Sequence, residues 1–193
     1  DRDEISASLG LLVHELAATA PPGTSLAEFE RLLDERWDSI DFGAPWFATN
    51  ERLRAGRILA RLVDWLRESR AELELLGTED GFAVEVGDAV LRGRLDRIER
   101  DRAGRLVVVD LKTTKSKPTK DELPRHPQLA AYQLAVERGA FPEAGTTSGG
   151  ARLVQAAATG DTEQGQPPLS DWDDPQWIAD QVAHVARRLR GSA

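Results

Sequence analysis

The spacing of hydrophobic positions changes along the chain. Over residues 6–19, Leu9, Leu12, Val13 and Leu16 recur at three- and four-residue intervals. That spacing predicts a helix buried along one side and stopped by Pro21-Pro22. Ser25-Leu26-Ala27-Glu28 is a capping box: serine and glutamate satisfy each other's exposed N–H groups. Leu26, Phe29, Leu32 and Leu33 give the helix that follows an apolar stripe. Residues 41–49 are rich in aromatics and read as a connection. Asn50 is placed to cap a long helix reaching about residue 76 and ended by Gly77. Its buried face would hold Leu53, Ile58, Leu59, Leu62, Val63 and Leu66.

From residue 81 the text reads as strands. Phe82–Val86, Val90–Arg100 and Arg105–Leu111 are separated by turn signals at Gly87-Asp88 and at Asp101-Arg102-Ala103-Gly104, which predicts an antiparallel meander. Leu106-Val107-Val108-Val109 is apolar on both faces, so the third strand should be central and covered on both sides. Pro127 suits the first turn of a helix running to Arg138, with Gly139 behind it. Residues 151–158 return as a strand, and residues 159–173 read as a polar loop. After Asp174-Pro175, Ile178, Val182, Val185 and Leu189 mark a final helix. The order is an α/β arrangement: a mixed sheet flanked by helices, with a helical N-terminal part. It is expected as one domain over 1–193, helical over 1–80 and α/β over 81–193.

Composition narrows the chemistry. A chain of 193 residues has ample length for a core. No run of 18 apolar residues would span a membrane, and the first twenty residues lack the basic start of a signal peptide, so the expected location is cytoplasmic. Cysteine is absent, which excludes disulfides, thiol catalysis, Cys-ligated zinc and any iron–sulfur cluster in this chain. No Walker-type Gly-x-x-x-x-Gly-Lys-Ser/Thr occurs either. The net charge of -8 argues against generic phosphate binding. The charge is uneven, however. Residues 1–50 hold 3 basic against 10 acidic groups, whereas residues 101–150 hold 8 against 6. There are 4 lysines against 21 arginines, and the four are Lys112, Lys115, Lys117 and Lys120.

That lysine cluster begins beside a pair of carboxylates. Asp110 and Lys112 end the third strand two positions apart, and therefore share a face. If a three-residue loop joins the strands, Asp96 on the second falls opposite Asp110, with Cβ atoms roughly 5 Å apart. Two facing carboxylates repel unless something positive lies between them, and hard oxygen donors suit Mg²⁺ or Mn²⁺. Lys112 would then reach an attacking water or a phosphate. The plainer alternative is a salt bridge of Asp110 with Lys112 or Arg94. Against it stands the cost of charges at the end of a doubly buried strand. Gln128 and Tyr132 share one face of the next helix, either supporting such a site or lying as a surface Gln and a half-buried Tyr. His14 follows Gly10 by one helical turn, and Gly10 permits a close approach. A lone helical His is more often structural. Lys115, Lys117 and Lys120 would meet phosphates or form a solvated loop; Arg94 and Arg97 would face DNA or form ion pairs.

Together, His14, Gly93-Arg94-Leu95-Asp96-Arg97-Ile98, Val108-Val109-Asp110-Leu111-Lys112 and His126-Pro127-Gln128-xxx-Tyr132 resemble the RecB-like branch of the PD-(D/E)XK nuclease superfamily. They are closest to the C-terminal nuclease domain of AdnAB-type (AdnB-like) helicase–nucleases. Val109 stands where the superfamily's name has proline. The resemblance implies a restriction-endonuclease-like core and Mg²⁺- or Mn²⁺-dependent hydrolysis of DNA. It implies that Asp96 and Asp110 ligate the metal, helped by His14 and the Leu111 carbonyl. Lys112 would position the water, Gln128 and Tyr132 would support the site, and Arg94, Lys115, Lys117 and Lys120 would meet DNA. The implied partners are single-stranded DNA, UvrD/Rep-like helicase domains of the same parent polypeptide and a second helicase–nuclease subunit, working in break resection. The alternatives are a catalytically degenerate module for DNA binding or docking, and a stand-alone or CRISPR-associated nuclease.

Overall fold

A computed structural model describes residues 2–191. The elements are α1 (Arg2–Thr19), α2 (Leu26–Trp37), α3 (Pro45–Ser69), β1 (Leu73–Val86), β2 (Ala89–Asp101), β3 (Leu106–Lys112), α4 (Pro127–Glu137), β4 (Ser148–Gln155), β5 (Glu163–Gln166) and α5 (Trp177–Gly191). The strands form one mixed five-stranded sheet in the order β1-β2-β3-β4-β5, flanked by helices. The chain divides into two compact units. One comprises the chain to Ala71 with Leu111–Lys117 and Val154–Glu163; the other comprises Glu72–Asp110, Pro118–Leu153 and the chain from Gln164 onward.

In the first unit, α1, α2 and α3 pack together and bury Leu9, Leu16, Phe29, Leu33 and Leu59 almost completely. The capping box forms as the sequence predicts. Ser25 Oγ accepts from the Glu28 N–H, and the Glu28 carboxylate accepts from the Ser25 N–H at 2.9 Å. Helix α3 departs from the expectation at both ends. It starts at Pro45, whose fixed φ suits the first turn, so residues 45–49 are helical rather than a connection. It stops at Ser69, because Leu73 already pairs with Asp101 in the sheet. Long-range pairing thus overrides the helical propensity of residues 72–76. Leu53, expected inside, is 58% exposed; Ala55, Ile58, Leu59, Leu62 and Trp65 carry the buried face. Arg61 donates to the carbonyls of Ala156, Ala158 and Gly160 and to the Thr162 hydroxyl, fastening that loop to α3.

In the second unit, the β2–β3 turn is built on Asp101. Its Oδ1 accepts from the N–H groups of Ala103 and Arg105, both at 2.9 Å, and its Oδ2 accepts from Arg105 Nε. Burial pushes this carboxyl up, but the bonds from Arg105 and Ala103 outweigh it and hold it below its ordinary value. Gly104 takes the left-handed conformation, with φ of 81°, that the turn requires. Strand β3 is buried from Leu106 to Leu111, as its doubly apolar text predicts, and lies in the middle of the sheet. Helix α4 packs Leu129, Tyr132 and Val136 against Ile98, Leu106 and Val108. Gln133, on the same helix, is fully buried. Its amide donates to Gln166 Oε1 at 2.8 Å and the Pro167 carbonyl at 3.0 Å, and its Oε1 accepts from Ser148 Oγ at 2.8 Å and the Leu169 N–H at 3.0 Å. The expected strand at 151–158 lies at Ser148–Gln155, and the expected polar loop contains β5, whose text Glu-Gln-Gly-Gln carries no apolar alternation.

Candidate metal centre and the family of the chain

The hairpin register brings the acidic residues into one row. The β2–β3 ladder runs Arg100↔Leu106, Glu99↔Val107, Ile98↔Val108, Arg97↔Val109. One step further along, Asp96 faces Asp110. Facing residues of an antiparallel pair lie on the same side of the sheet. That side also carries Ile98 and Val108, which α4 covers. Asp110 is buried, at 4% exposure, and Asp96 is half-buried. On α4, Gln128 Nε2 donates to Tyr132 Oη at 3.0 Å, and the Tyr132 ring packs edge-on against Phe82, 6.1 Å between centroids.

Glu79 escaped the sequence reading. In the β1–β2 ladder Thr78 pairs with Arg97 and Asp80 with Leu95, which sets Glu79 against Asp96. Carboxylate oxygens of the two lie within 4.8 Å of one another. The signal was present in the text: Gly87-Asp88 turns the hairpin so that Val86 meets Ala89, and counting back from there pairs 79 with 96. Extending α3 to residue 76 concealed it. Arg94, expected to face DNA or form an ion pair, takes the second role. Its Nε donates to the Glu79 carbonyl at 3.0 Å and lies 3.7 Å from the Glu79 carboxylate. Arg97 is also paired, with Glu99 at 3.1 Å, both side chains buried; its DNA-facing reading is thereby overturned.

The remaining site residues, Lys120 apart, lie in the first unit. Leu111 is buried and Lys112 half-buried, following Asp110 along β3. Thr113 comes next, and Gly10 of α1 lies hard against it: a Cβ on Gly10 would sit 2.8 Å from Thr113 Oγ1. The close approach expected at Gly10 is therefore to the residue after Lys112. His14, half-buried, is one turn further along α1. Lys115, Lys117 and Lys120 are exposed, and Lys117 Nζ donates to the Thr159 carbonyl at 2.9 Å.

A sequence profile of the PD-(D/E)XK nuclease superfamily matches residues 1–193. The chain belongs to that superfamily. No curated protein matches it. Among solved structures, one described as the crystal structure of SSO0001 is 20% identical, with 97% of this chain and 85% of that chain covered and a TM-score of 0.39. Among the described residues, no helix is long and apolar enough to cross a membrane.

Membership of the PD-(D/E)XK superfamily makes the chain a nuclease-family hydrolase domain, and such nucleases use divalent metals. The donor set fits such an ion. Glu79 and Asp96 offer hard carboxylate oxygens within 4.8 Å of one another, and Asp110 is the next residue in the same row.

Proposed function

We propose that this PD-(D/E)XK domain is a Mg²⁺- or Mn²⁺-dependent deoxyribonuclease. Asp96 and Asp110 would hold the cation, helped by His14 and the Leu111 carbonyl. The observation that carries this reading is the register that sets Asp96 opposite Asp110, two residues before Lys112. When bound, the cation supplies Lewis acidity and makes water a nucleophile near neutral pH. The Lys112 ammonium would donate hydrogen bonds to the attacking water and to the phosphate oxygens, offsetting charge as it develops. Tyr132, fixed by Phe82 and by Gln128, offers its hydroxyl to a phosphate oxygen of the bound strand. Exposed Lys115 and Lys120 give the neighbouring loop a positive surface for the DNA backbone. Lys117 would contribute by exchanging its present partner for phosphate, and Arg94 through its terminal nitrogens while its Nε stays on the Glu79 carbonyl.

Within this reading the substrate is single-stranded DNA, degraded from an end. The motor that feeds it is a UvrD/Rep-like helicase of an AdnB-like parent, paired with a second subunit in break resection in the cytoplasm. The family resemblance of the flanking motifs supports that placement. The test is turnover of end-labelled single-stranded and duplex oligonucleotides with Mn²⁺, Mg²⁺ or EDTA. Cleavage only with metal, lost in Asp110→Asn, supports the assignment. DNA binding with no metal-dependent turnover in the intact parent protein would replace it with a degenerate binding module.

A further inference from the structure

Glu79 has a backbone that its residue type disfavours. Among the described residues it is the one non-glycine position with positive φ, at 52°. A glutamate in this left-handed conformation costs roughly 1–2 kcal/mol, and its side chain gains nothing locally as Asn or Asp would. The surrounding text is shaped to permit it. Gly77 has no side chain, and a Cβ there would fall on the Asp80 carboxylate. Arg94 reaches across from β2 to the Glu79 carbonyl and carboxylate. The result places a Glu79 carboxylate oxygen within 4.8 Å of one on Asp96. Two carboxylates brought this close through an unfavourable backbone call for positive charge beside them.

We propose that Glu79 is a further acidic residue of the metal centre, sharing the cation with Asp96, and that Arg94 is the positioning residue that aims it. The proposal rests on the metal-centre reading above and adds a ligand to it. Arg94 supplies the local charge balance until the cation does so. Its guanidinium holds the left-handed backbone through the Glu79 carbonyl, and that bond does not require the carboxylate to remain on Arg94.

The test is Mn²⁺ binding by titration calorimetry on the full 193-residue chain, with thermal unfolding in EDTA as the control. Glu79→Gln keeps the size and removes the charge; affinity for Mn²⁺ should fall by about ten-fold or more. Glu79→Gly accepts φ of 52° without strain, so its melting temperature in EDTA should equal or exceed that of the parent while Mn²⁺ affinity falls as far. Unchanged Mn²⁺ affinity in both variants, with a wild type that binds Mn²⁺, overturns the role of Glu79 and leaves Asp96 and Asp110 as the centre. A wild type that binds no Mn²⁺ overturns the metal-centre reading itself.

Discussion

Replacing Gln133 by Leu should be among the most damaging single changes in the second unit, although the two side chains are nearly equal in volume. The amide makes four hydrogen bonds, to Gln166, Pro167, Ser148 and Leu169, at 2.8–3.0 Å, with no solvent exposure. Leu fills the space, so little cavity cost arises. The loss is therefore polar. About 1 kcal/mol net for each bond gives roughly 4 kcal/mol, because the abandoned partners are buried and recover little from water. That is a large share of a total stability of about 5–15 kcal/mol. For a chain of this length it corresponds to a fall in melting temperature of about 10 °C. Urea unfolding followed by circular dichroism measures it, with the slope against denaturant unchanged and the midpoint lowered. A loss below about 1 kcal/mol would refute the reasoning and show that the network is no better than its hydrated alternative. Because α4 also bears Gln128 and Tyr132, the same network keeps those side chains in place.

Gly10→Ala should gain about 1 kcal/mol in helix propensity yet destabilise the fold, since its methyl meets Thr113 Oγ1 at 2.8 Å. In a Thr113→Ala background the same change should become stabilising, and a double-mutant cycle in urea reads the reversal. Ser25→Ala should cost about 1 kcal/mol by opening the capping box of α2, seen as an equal shift in unfolding free energy. Asp101 is held below its ordinary 3.8, so its contribution is complete above that pH and fades as pH falls through the lower folded value. Asp101→Asn should therefore flatten the acid limb of the stability curve. Glu137 is shifted the opposite way by burial, with Arg138 opposing. Its folded value lies above 4.5, so ionisation costs stability as pH rises through that range, and Glu137→Gln should remove the decline.

Much of the fold was legible in the sequence because local chemistry and tertiary structure agree there. Ser25 and Glu28 fix a helix start by their own hydrogen bonds, and the Asp101–Gly104 turn fixes a register that follows by counting. The apolar run of β3 announced a central strand. The end of α3 was not legible. Residues 72–76 suit a helix, and only pairing of Leu73 with Asp101 makes them strand. That error hid Glu79, whose place depends on the length of β1. The Gln133 network was equally hidden, since a buried glutamine reads as polar surface until its partners at 148, 166, 167 and 169 are known. The candidate site divided along the same line. Asp96 against Asp110 follows from turn length alone, and Gln128 with Tyr132 from helical spacing. The pairing of Arg94 with Glu79 required the structure.

The central claim is that the Asp96–Asp110 row with Lys112 hydrolyses DNA through a divalent cation. The most direct measurement compares wild type and Lys112→Ala on an end-labelled single strand in Mn²⁺, with Mn²⁺ affinity measured alongside. The account predicts metal-dependent cleavage by the wild type and a loss of about 100-fold or more in Lys112→Ala, with Mn²⁺ still bound. Equal cleavage by both proteins, or a wild type that binds Mn²⁺ and cleaves no DNA, would contradict it.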